Sequence, residues 1–227
     1  MNEFENHCEF NLAETCVRSL TMAELLDMAG ANDTVLSELK SLKLTYGAIT
    51  GSVRLRQNIA DLYDSVSADD VLVTHGAIGA NALVYQALVE QGDRVVSVIP
   101  SYQQHTSIPE SIGAEIATLP LRHEDDFRLD LDALATMVGT TTKVIALTNP
   151  NNPTGALIGE DDLKAIGKIA AASKAYVLCD EVYRGTDHTG SGSTASIADL
   201  YERGISTGSM SKAFALAGLR LGWIAGP

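Results

Sequence analysis

The chain has 227 residues, with 16 Lys and Arg against 29 Asp and Glu, which gives a formal net charge of −13. Hydrophobic residues make up 45% of the chain and charged residues 20%, so it can bury a core and is neither disordered nor fibrous. The acidic excess argues against nucleic acid or an anionic membrane as the main partner, because both attract basic surfaces. The sequence also lacks an apolar run long enough for a membrane span, and acidic residues stand where a signal peptide needs positive charge. We therefore expect a soluble, cytoplasmic protein.

The cysteines and histidines show no pattern of a disulfide framework or a metal site. Cys8, Cys16 and Cys179 are far apart and form no C-x-x-C pair, and the five histidines show no H-x-H or H-x-x-x-H spacing. Cys179 lies in an apolar run, which predicts a small buried side chain.

Apolar patterning predicts the elements in chain order. Thr21 and Glu24 have the spacing of a capping box, which predicts a short helix over residues 21–30, and residues 51–65 show helical spacing of apolar residues. From residue 70 onward, β-branched runs alternate with amphipathic segments, as in parallel strands joined by crossover helices. The predicted strands are 71–74, 95–99, 115–119, 144–148, 176–180, 205–208 and 221–225, and the helices between them are 77–91, 102–113, 130–138 and 160–174. The Gly- and Ser-rich stretch 189–194 predicts a surface loop.

Several predicted strands end in polar motifs, and ligands of open α/β sheets bind beyond the carboxyl ends of the strands. The first strand runs into His75-Gly-Ala-Ile-Gly79 before a helix, which predicts an anion site at the helix start. The second ends near Tyr102, whose ring could cover that site. The fourth leads into Asn149-Pro-Asn-Asn-Pro-Thr-Gly155, a rigid turn whose asparagine amides could bond a ligand. Each motif alone also fits a plain turn or a packed side chain.

Charged residues follow the later strands. Asp180, in Asp180-Glu-Val-Tyr183, ends a buried strand and therefore needs a cationic partner or nearby water. Lys212, in Ser209-Met-Ser-Lys212, is placed to react as an amine if its pKa is depressed. Arg220 supplies a permanent planar cation that suits phosphate or carboxylate.

Taken in order, these motifs resemble the large domain of the class I and II aminotransferases, fold-type-I enzymes that use pyridoxal 5′-phosphate. The resemblance covers residues 46–226, and its signature is Asn149-Pro-x-Asn152-Pro-Thr-Gly, Asp180-x-x-Tyr183, Ser209-x-Ser211-Lys212 and Arg220-x-Gly222. It implies an α/β three-layer sandwich around a mostly parallel seven-stranded sheet. It further implies a cofactor-binding large domain over residues 46–227 and a missing C-terminal small domain. The segment before Tyr46 matches the family poorly, and we expect residues 1–45 to form an N-terminal arm with short helices.

The resemblance also implies roles around the cofactor ring. Lys212 forms a Schiff base with the cofactor and then shuttles a proton. Asp180 pairs with the pyridine nitrogen, and Asn152 and Tyr183 bond the phenolic oxygen. Tyr102 stacks on the ring.

The cofactor phosphate is expected at the first predicted strand. It is held, by resemblance, at the turn of Gly76 by the amides of Ala77 and Ile78, together with Ser209 and Arg220. The motif here reads Gly76-Ala-Ile where many family members have a hydroxyl or lysine side chain, so more of the binding falls to backbone amides.

Two further residues complete the expected site. Tyr46 matches the family tyrosine that reaches the phosphate of the neighbouring subunit, which implies a homodimer with shared sites. Ser211 is expected to support the site from behind. Residues 11–15 could form a substrate-facing arm or simply pack, and packing is slightly favoured.

The function implied is an amino acid aminotransferase that moves an amino group between an amino acid and a 2-oxo acid in a ping-pong exchange. A lyase that performs carbon–sulfur or other elimination, or a decarboxylase, remains an alternative, because the same residues support those reactions. A non-catalytic fragment is a third hypothesis, since the family segment that carries the arginine for the substrate carboxylate does not occur in this sequence.

Overall fold

A computed structural model describes residues 7, 9–10, 15, 17–186, 188 and 194–227, with the side chains of Asn32 and Asp33 left out. The strands are β1 (Val71–His75), β2 (Arg94–Ile99), β3 (Glu115–Pro120), β4 (Thr142–Thr148), β5 (Tyr176–Asp180), β6 (Gly204–Ser209) and β7 (Leu221–Ala225). The α-helices are α1 (Met22–Ala29), α2 (Asn32–Ser41), α3 (Val53–Ala60), α4 (Gly76–Leu88), α5 (Gln104–Ile112), α6 (Leu131–Met137), α7 (Glu160–Ser173) and α8 (Ile197–Leu200).

The strands form one sheet in the order β1-β7-β6-β5-β4-β2-β3. Strand β7 runs antiparallel to both of its neighbours, while the pairs from β6 to β3 are parallel. The predicted strands and the mostly parallel sheet are confirmed. Because β7 is reversed, its first residues lie at the edge where β1, β4, β5 and β6 end.

Helices cover both faces of this sheet. One cluster of buried apolar residues joins β4 and β5 to α6, α7 and α8 through side chains such as Leu134, Leu163 and Ile197. A second joins the other face to α4 through Val84 and Tyr85. The central strands are buried on both faces, which explains their apolar runs without alternation. The predicted three-layer α/β sandwich is confirmed.

The helix predictions agree with the structure within a few residues, with one exception. The capping box of α1 forms, since Thr21 accepts from the Glu24 amide and the Glu24 carboxylate accepts from the Thr21 amide. The helix predicted over 51–65 is wrong beyond Ala60. There the amides of residues 64 and 65 donate to the Asp199 carboxylate at 3.0 and 2.8 Å, and these tertiary bonds replace helical ones. Helix α2 was not predicted.

The prediction that Cys179 is a buried side chain is confirmed. Cys179 is fully buried in β5, and burial raises its pKa well above the ordinary value. The predictions for Cys8, Cys16, residues 11–14 and the loop 189–193 lie outside the described residues. In the part of the chain that the structure describes, no helix is long and apolar enough to cross a membrane, and no group of three or more His, Cys, Asp and Glu side chains could hold a metal.

A directed chain of buried hydrogen bonds ties α3 to the sheet. The Trp223 indole donates to the Tyr63 hydroxyl at 2.8 Å. Ser206 donates its one hydroxyl proton to the Glu181 carboxylate at 2.8 Å. Ser206 therefore accepts in its 3.0 Å contact with Tyr63, and the Tyr63 hydroxyl donates. Burial raises the pKa of Tyr63 to about 12 and raises the pKa of Glu181 above its ordinary value. The chain therefore ends on a buried acid that needs each of its donors.

We predict that Tyr63→Phe lowers the free energy of unfolding by about 1–3 kcal/mol, because the Trp223 and Ser206 groups lose their buried partner. Urea unfolding followed by tryptophan fluorescence measures the change. The control is Tyr176→Phe, because Tyr176 is a half-buried strand residue whose hydroxyl makes no side-chain hydrogen bond within the described ranges. Equal midpoints for Tyr63→Phe and the unsubstituted chain would contradict the role of the hydrogen-bond chain.

Candidate active site

A cavity of about 390 Å³ opens at the edge of the sheet where β4, β5 and β6 end. This volume suits a small molecule. Ten of the predicted site residues line it: Ala77, Ile78, Tyr102, Asn152, Asp180, Tyr183, Ser209, Ser211, Lys212 and Arg220. They come from separate strand ends, so the parallel topology brings together residues that are distant in sequence.

Asp180 ends the central strand and is 5% exposed. Its Oδ2 accepts a hydrogen bond from the Asn81 amide at 2.8 Å, and its Oδ1 accepts from the backbone N–H of Val182 at 3.2 Å. These donors stabilise a carboxylate that burial would otherwise destabilise. The site therefore presents a fixed negative charge to the cavity.

A buried histidine lies close to this carboxylate. The sequence pattern did not indicate it as a site residue. His105, in α5, is fully buried, with its Nε2 3.9 Å from Asp180 Oδ2 and its Nδ1 2.9 Å from the Tyr85 hydroxyl. Burial lowers the pKa of His105, although Asp180 opposes that shift, and burial raises the pKa of Tyr85 well above its ordinary value. The neighbouring carboxylate favours the tautomer with a proton on Nε2, so Nδ1 accepts from Tyr85. A histidine at the second position of a helix gives no sequence signal of its own.

Lys212 lies between the strand ends with its amine in the cavity. Its Nζ donates to the Thr15 hydroxyl at 3.0 Å and lies 5.7 Å from the centre of the Tyr183 ring. The Tyr183 hydroxyl also donates to Thr15 at 3.1 Å. The amide of Ser211 donates to the Ser209 hydroxyl at 3.3 Å, which stiffens the turn that carries the lysine. The Lys212 amine and the Tyr183 hydroxyl thus share one hydrogen-bond partner, the Thr15 hydroxyl.

The start of α4 lies beside the guanidinium of Arg220. The N-cap residue His75 makes no side-chain capping bond that the described residues show, so the first amides of this 13-residue helix are available to a ligand. Gly76 has φ +70°, and a Cβ there would lie 2.7 Å from Arg220 Nη2. The guanidinium therefore lies over a bare Cα, beside helix amides, and Nη1 is fixed by the Ala217 carbonyl at 3.0 Å.

Gly222 allows this close approach. A Cβ at residue 222 would lie 2.3 Å from the carbonyl carbon of Gly76 and 2.6 Å from the amide nitrogen of Ala77. Both are backbone atoms that cannot rotate away. The glycine therefore sets how near β7, and with it Arg220, comes to the start of α4.

The three asparagines of the turn at residues 149–155 have different surroundings. Asn149 closes the loop on itself, since its amide donates to the Ile158 carbonyl and its oxygen accepts from the Ile158 amide. Asn151 donates to the Pro100 carbonyl and to Thr154. Asn149 and Asn151 therefore bond groups of the protein itself, and Asn152 is the asparagine of this turn that lines the cavity.

Two predicted residues do not line this cavity. Gly76 lies just behind it and contributes the open space for Arg220. Tyr46 is fully exposed in the segment before α3 and is not among the residues that surround the cavity of its own chain.

Comparison with known proteins places the chain among enzymes of one family. The family described as "Aminotransferase class I and II" matches residues 23–227. The chain is 31% identical over 188 residues to the arginine–pyruvate transaminase of Pseudomonas aeruginosa, which covers 80% of this chain and 48% of that protein. It is 37% identical over 161 residues to a probable N-succinyldiaminopimelate aminotransferase of Mycobacterium tuberculosis, covering 70% and 41%. The chain thus spans about half the length of the curated relatives it matches.

A solved structure shows the same fold. The crystal structure of a PLP-dependent aminotransferase from Streptococcus suis superposes with a TM-score of 0.94 at 38% identity. The match covers 99% of this chain and 60% of that one. Fold and sequence therefore point to the same family.

We predict that Gly222→Ala destabilises the protein by about 1–3 kcal/mol and weakens its affinity for an anion in the cavity, because the added methyl forces β7 away from the start of α4. Urea unfolding and a titration with inorganic phosphate measure the two effects. The control is Gly139→Ala, where a Cβ meets no atom within 4 Å. Equal stability and equal phosphate affinity for the two variants would contradict the steric account of Gly222.

Proposed function

The chain belongs to the class I and II aminotransferases, and from this premise we propose that it acts as a pyridoxal 5′-phosphate-dependent amino acid aminotransferase. It transfers an amino group from an amino acid to a 2-oxo acid in two half-reactions at one site. Residues 46–227 form the cofactor-binding large domain in this proposal, and residues 1–45 form an N-terminal arm.

One observation carries the proposal. An amine, a buried carboxylate, a phenol, an amide side chain and a guanidinium lie around one cavity, and they belong to Lys212, Asp180, Tyr183, Asn152 and Arg220. An amine alone, or an anion-binding group alone, occurs in many kinds of binding site. Their combination at one edge of the sheet matches the chemical groups of pyridoxal phosphate one by one.

The residues present fit this cofactor. The amides of Ala77 and Ile78, with Ser209 and Arg220, supply hydrogen bonds and positive charge for a phosphate. Asp180 supplies the negative charge that a protonated pyridine nitrogen needs. When bound, the cofactor supplies an aldehyde that condenses with amino groups and a ring that withdraws electrons from the substrate.

The chain's own residues perform the remaining work. Asp180 would hold a proton on the ring nitrogen, and the Tyr183 hydroxyl and the Asn152 amide would bond the phenolic oxygen. Lys212 would act as the general base that removes the proton from the substrate Cα. Tyr102, which is 46% exposed and lines the cavity, would cover the ring face.

Transfer is favoured over elimination or decarboxylation. The curated relatives reported above bear the names of transaminases, and none of those names describes a lyase. The named amino acids differ between them, so we propose the substrate class, amino acids and 2-oxo acids, rather than one compound.

We also propose a homodimer with shared sites, and the exposed segment before α3 supports it. Leu44, Tyr46 and Ile49 expose 98%, 101% and 96% of their surface. Adjacent apolar side chains exposed to this degree are typical of a surface that another chain covers. Tyr46 then reaches the phosphate in the partner's cavity, and the partner's Tyr46 reaches this one.

We further propose the cytoplasm as the compartment. The support is the use of cysteine, because Cys179 is a buried free thiol and the sequence shows no pattern of paired cysteines.

We predict that the protein binds pyridoxal phosphate with the absorption change that marks condensation of a lysine with the aldehyde, and that Lys212→Ala abolishes this change. Reduction with borohydride followed by peptide mass spectrometry should place the label on Lys212. Lys168→Ala is the control, because this lysine lies exposed on α7, away from the cavity.

Several outcomes would contradict the proposal. Labelling of Lys212→Ala equal to that of the unsubstituted chain would remove Lys212 from its role, and failure of the unsubstituted chain to bind would favour the non-catalytic alternative. In assays of the loaded protein, ammonia and a 2-oxo acid released from amino acids without an added acceptor would favour the lyase.

We predict that Tyr46→Ala weakens cofactor affinity by about tenfold to a hundredfold, which is the value of one hydrogen bond to a charged group, and that mixing restores it. In a mixture of Tyr46→Ala with Lys212→Ala, the heterodimer contains one complete site, made of Lys212 from one protomer and the partner's Tyr46. The absorption change reports only sites with Lys212, so a tight-binding component should appear on mixing.

Sedimentation velocity provides the control on assembly. A dimer for both variants, with a tight component only in the mixture, supports shared sites. A monomer, or a mixture that titrates as the sum of its parts, would overturn them.

A further inference from the structure

A polar residue stands on the buried face of α4. Asn81 is 1% exposed, and the neighbouring buried positions of this helix are Ala80, Val84 and Tyr85. An asparagine buried among apolar residues is costly unless its amide is hydrogen-bonded. Its partners therefore reveal why the position is polar.

Both ends of the Asn81 amide are used. The Thr207 hydroxyl donates to Asn81 Oδ1 at 2.7 Å, and Asn81 Nδ2 donates to Asp180 Oδ2 at 2.8 Å. A carboxylate only accepts, so the NH₂ group must face Asp180 and the oxygen must face Thr207. The hydrogen bonds thus run in one direction, from Thr207 through Asn81 to Asp180.

The sheet fixes the geometry of this bridge. Thr207 and Asp180 are paired residues on the adjacent strands β6 and β5, and α4 packs across both. Thr207 is itself fully buried. The amide is therefore held from a rigid strand and cannot turn its oxygen towards the carboxylate without losing the Thr207 bond.

The other groups around Asp180 do not replace this contact. The Val182 amide bonds the other oxygen, Oδ1, at 3.2 Å. His105 Nε2 is 3.9 Å from Oδ2, which is beyond hydrogen-bond distance. Within the described part of the chain, Asn81 is thus the side chain that hydrogen-bonds Asp180.

We propose that Asn81, oriented by Thr207, is a positioning residue that fixes the Asp180 carboxylate for its contact with the cofactor's ring nitrogen. This inference rests on the proposed function and adds a residue pair to it. Asn81 does not replace Asp180 in touching the ring nitrogen. It acts by setting the rotation of the carboxylate and by giving Oδ2 a donor that water cannot supply in a buried site.

The test compares two probes, pyridoxal phosphate and its analogue with a carbon atom in place of the ring nitrogen. If a substitution acts through the ring nitrogen, it must weaken binding of pyridoxal phosphate and leave binding of the analogue unchanged. We expect Asn81→Leu and Thr207→Val each to lower affinity for pyridoxal phosphate by about tenfold or more, as the loss of a hydrogen bond to a charged group does. Affinity for the analogue should change by less than about twofold.

Two further variants separate positioning from folding. Thr207→Ser keeps the hydroxyl and should restore affinity for pyridoxal phosphate. Thr142→Val removes another buried hydroxyl, at the far end of β4, which accepts a hydrogen bond from the Gly139 amide at 2.9 Å. It should leave both affinities unchanged. Urea unfolding shows which variants fold. If Asn81→Leu does not fold, Thr207→Val alone provides the test.

The outcomes distinguish the two proposals. If the unsubstituted chain binds neither probe, the proposed function fails and this inference fails with it. If it prefers pyridoxal phosphate but the variants lose both probes equally, or lose neither, only the positioning role of Asn81 and Thr207 is overturned. Equal binding of both probes by the unsubstituted chain would overturn the contact between Asp180 and the ring nitrogen.

Discussion

A negative charge buried at the end of the central strand organises the site. Removing a carboxylate from water is costly unless donors and a cation replace the water. The structure provides Asp180 with donors from two directions, the Asn81 amide and the Val182 backbone, and leaves one side open to the cavity. In the proposed function, a protonated ring nitrogen supplies positive charge on that open side.

The next residue in the chain, Glu181, is also acidic but has different hydrogen-bond partners. Glu181 is buried on the other side of the chain and receives hydrogen bonds from Ser196, Ser206 and the amide of Ile197. These bonds join α8 and β6 to the end of β5, so this acid is structural. The two acids alternate in direction as strand residues do. One motif thus anchors the strand end on one face and presents a charge to the cavity on the other.

The sequence predicted the sheet because buried parallel strands need apolar β-branched runs, and it predicted the ring of site residues because those runs end in polar motifs. It did not predict where α3 stops, since that depends on Asp199, more than 130 residues away. Nor could it find Asn81 and His105. Each is a single polar residue in a helix, and only the packed structure shows which helical face looks towards Asp180. The asparagine turn shows the same limit, because its three asparagines look alike until the loop closes on Asn149.

The proposed anion site lies in a chain of net charge −13, and local geometry accounts for this. Because β7 runs antiparallel, Arg220 enters at the same edge as the strand ends. The residue adopts a left-handed conformation with φ +51°, which costs about 1 kcal/mol or more for a non-glycine residue. In return the guanidinium lies over Gly76 beside the amides of α4. Screening in salt confines the distant surface charges to a range of about 10 Å, so a guanidinium and aligned amides in contact with a bound anion would outweigh them. Two glycines, one reversed strand and one strained backbone angle thus place this positive charge beside the amides of α4.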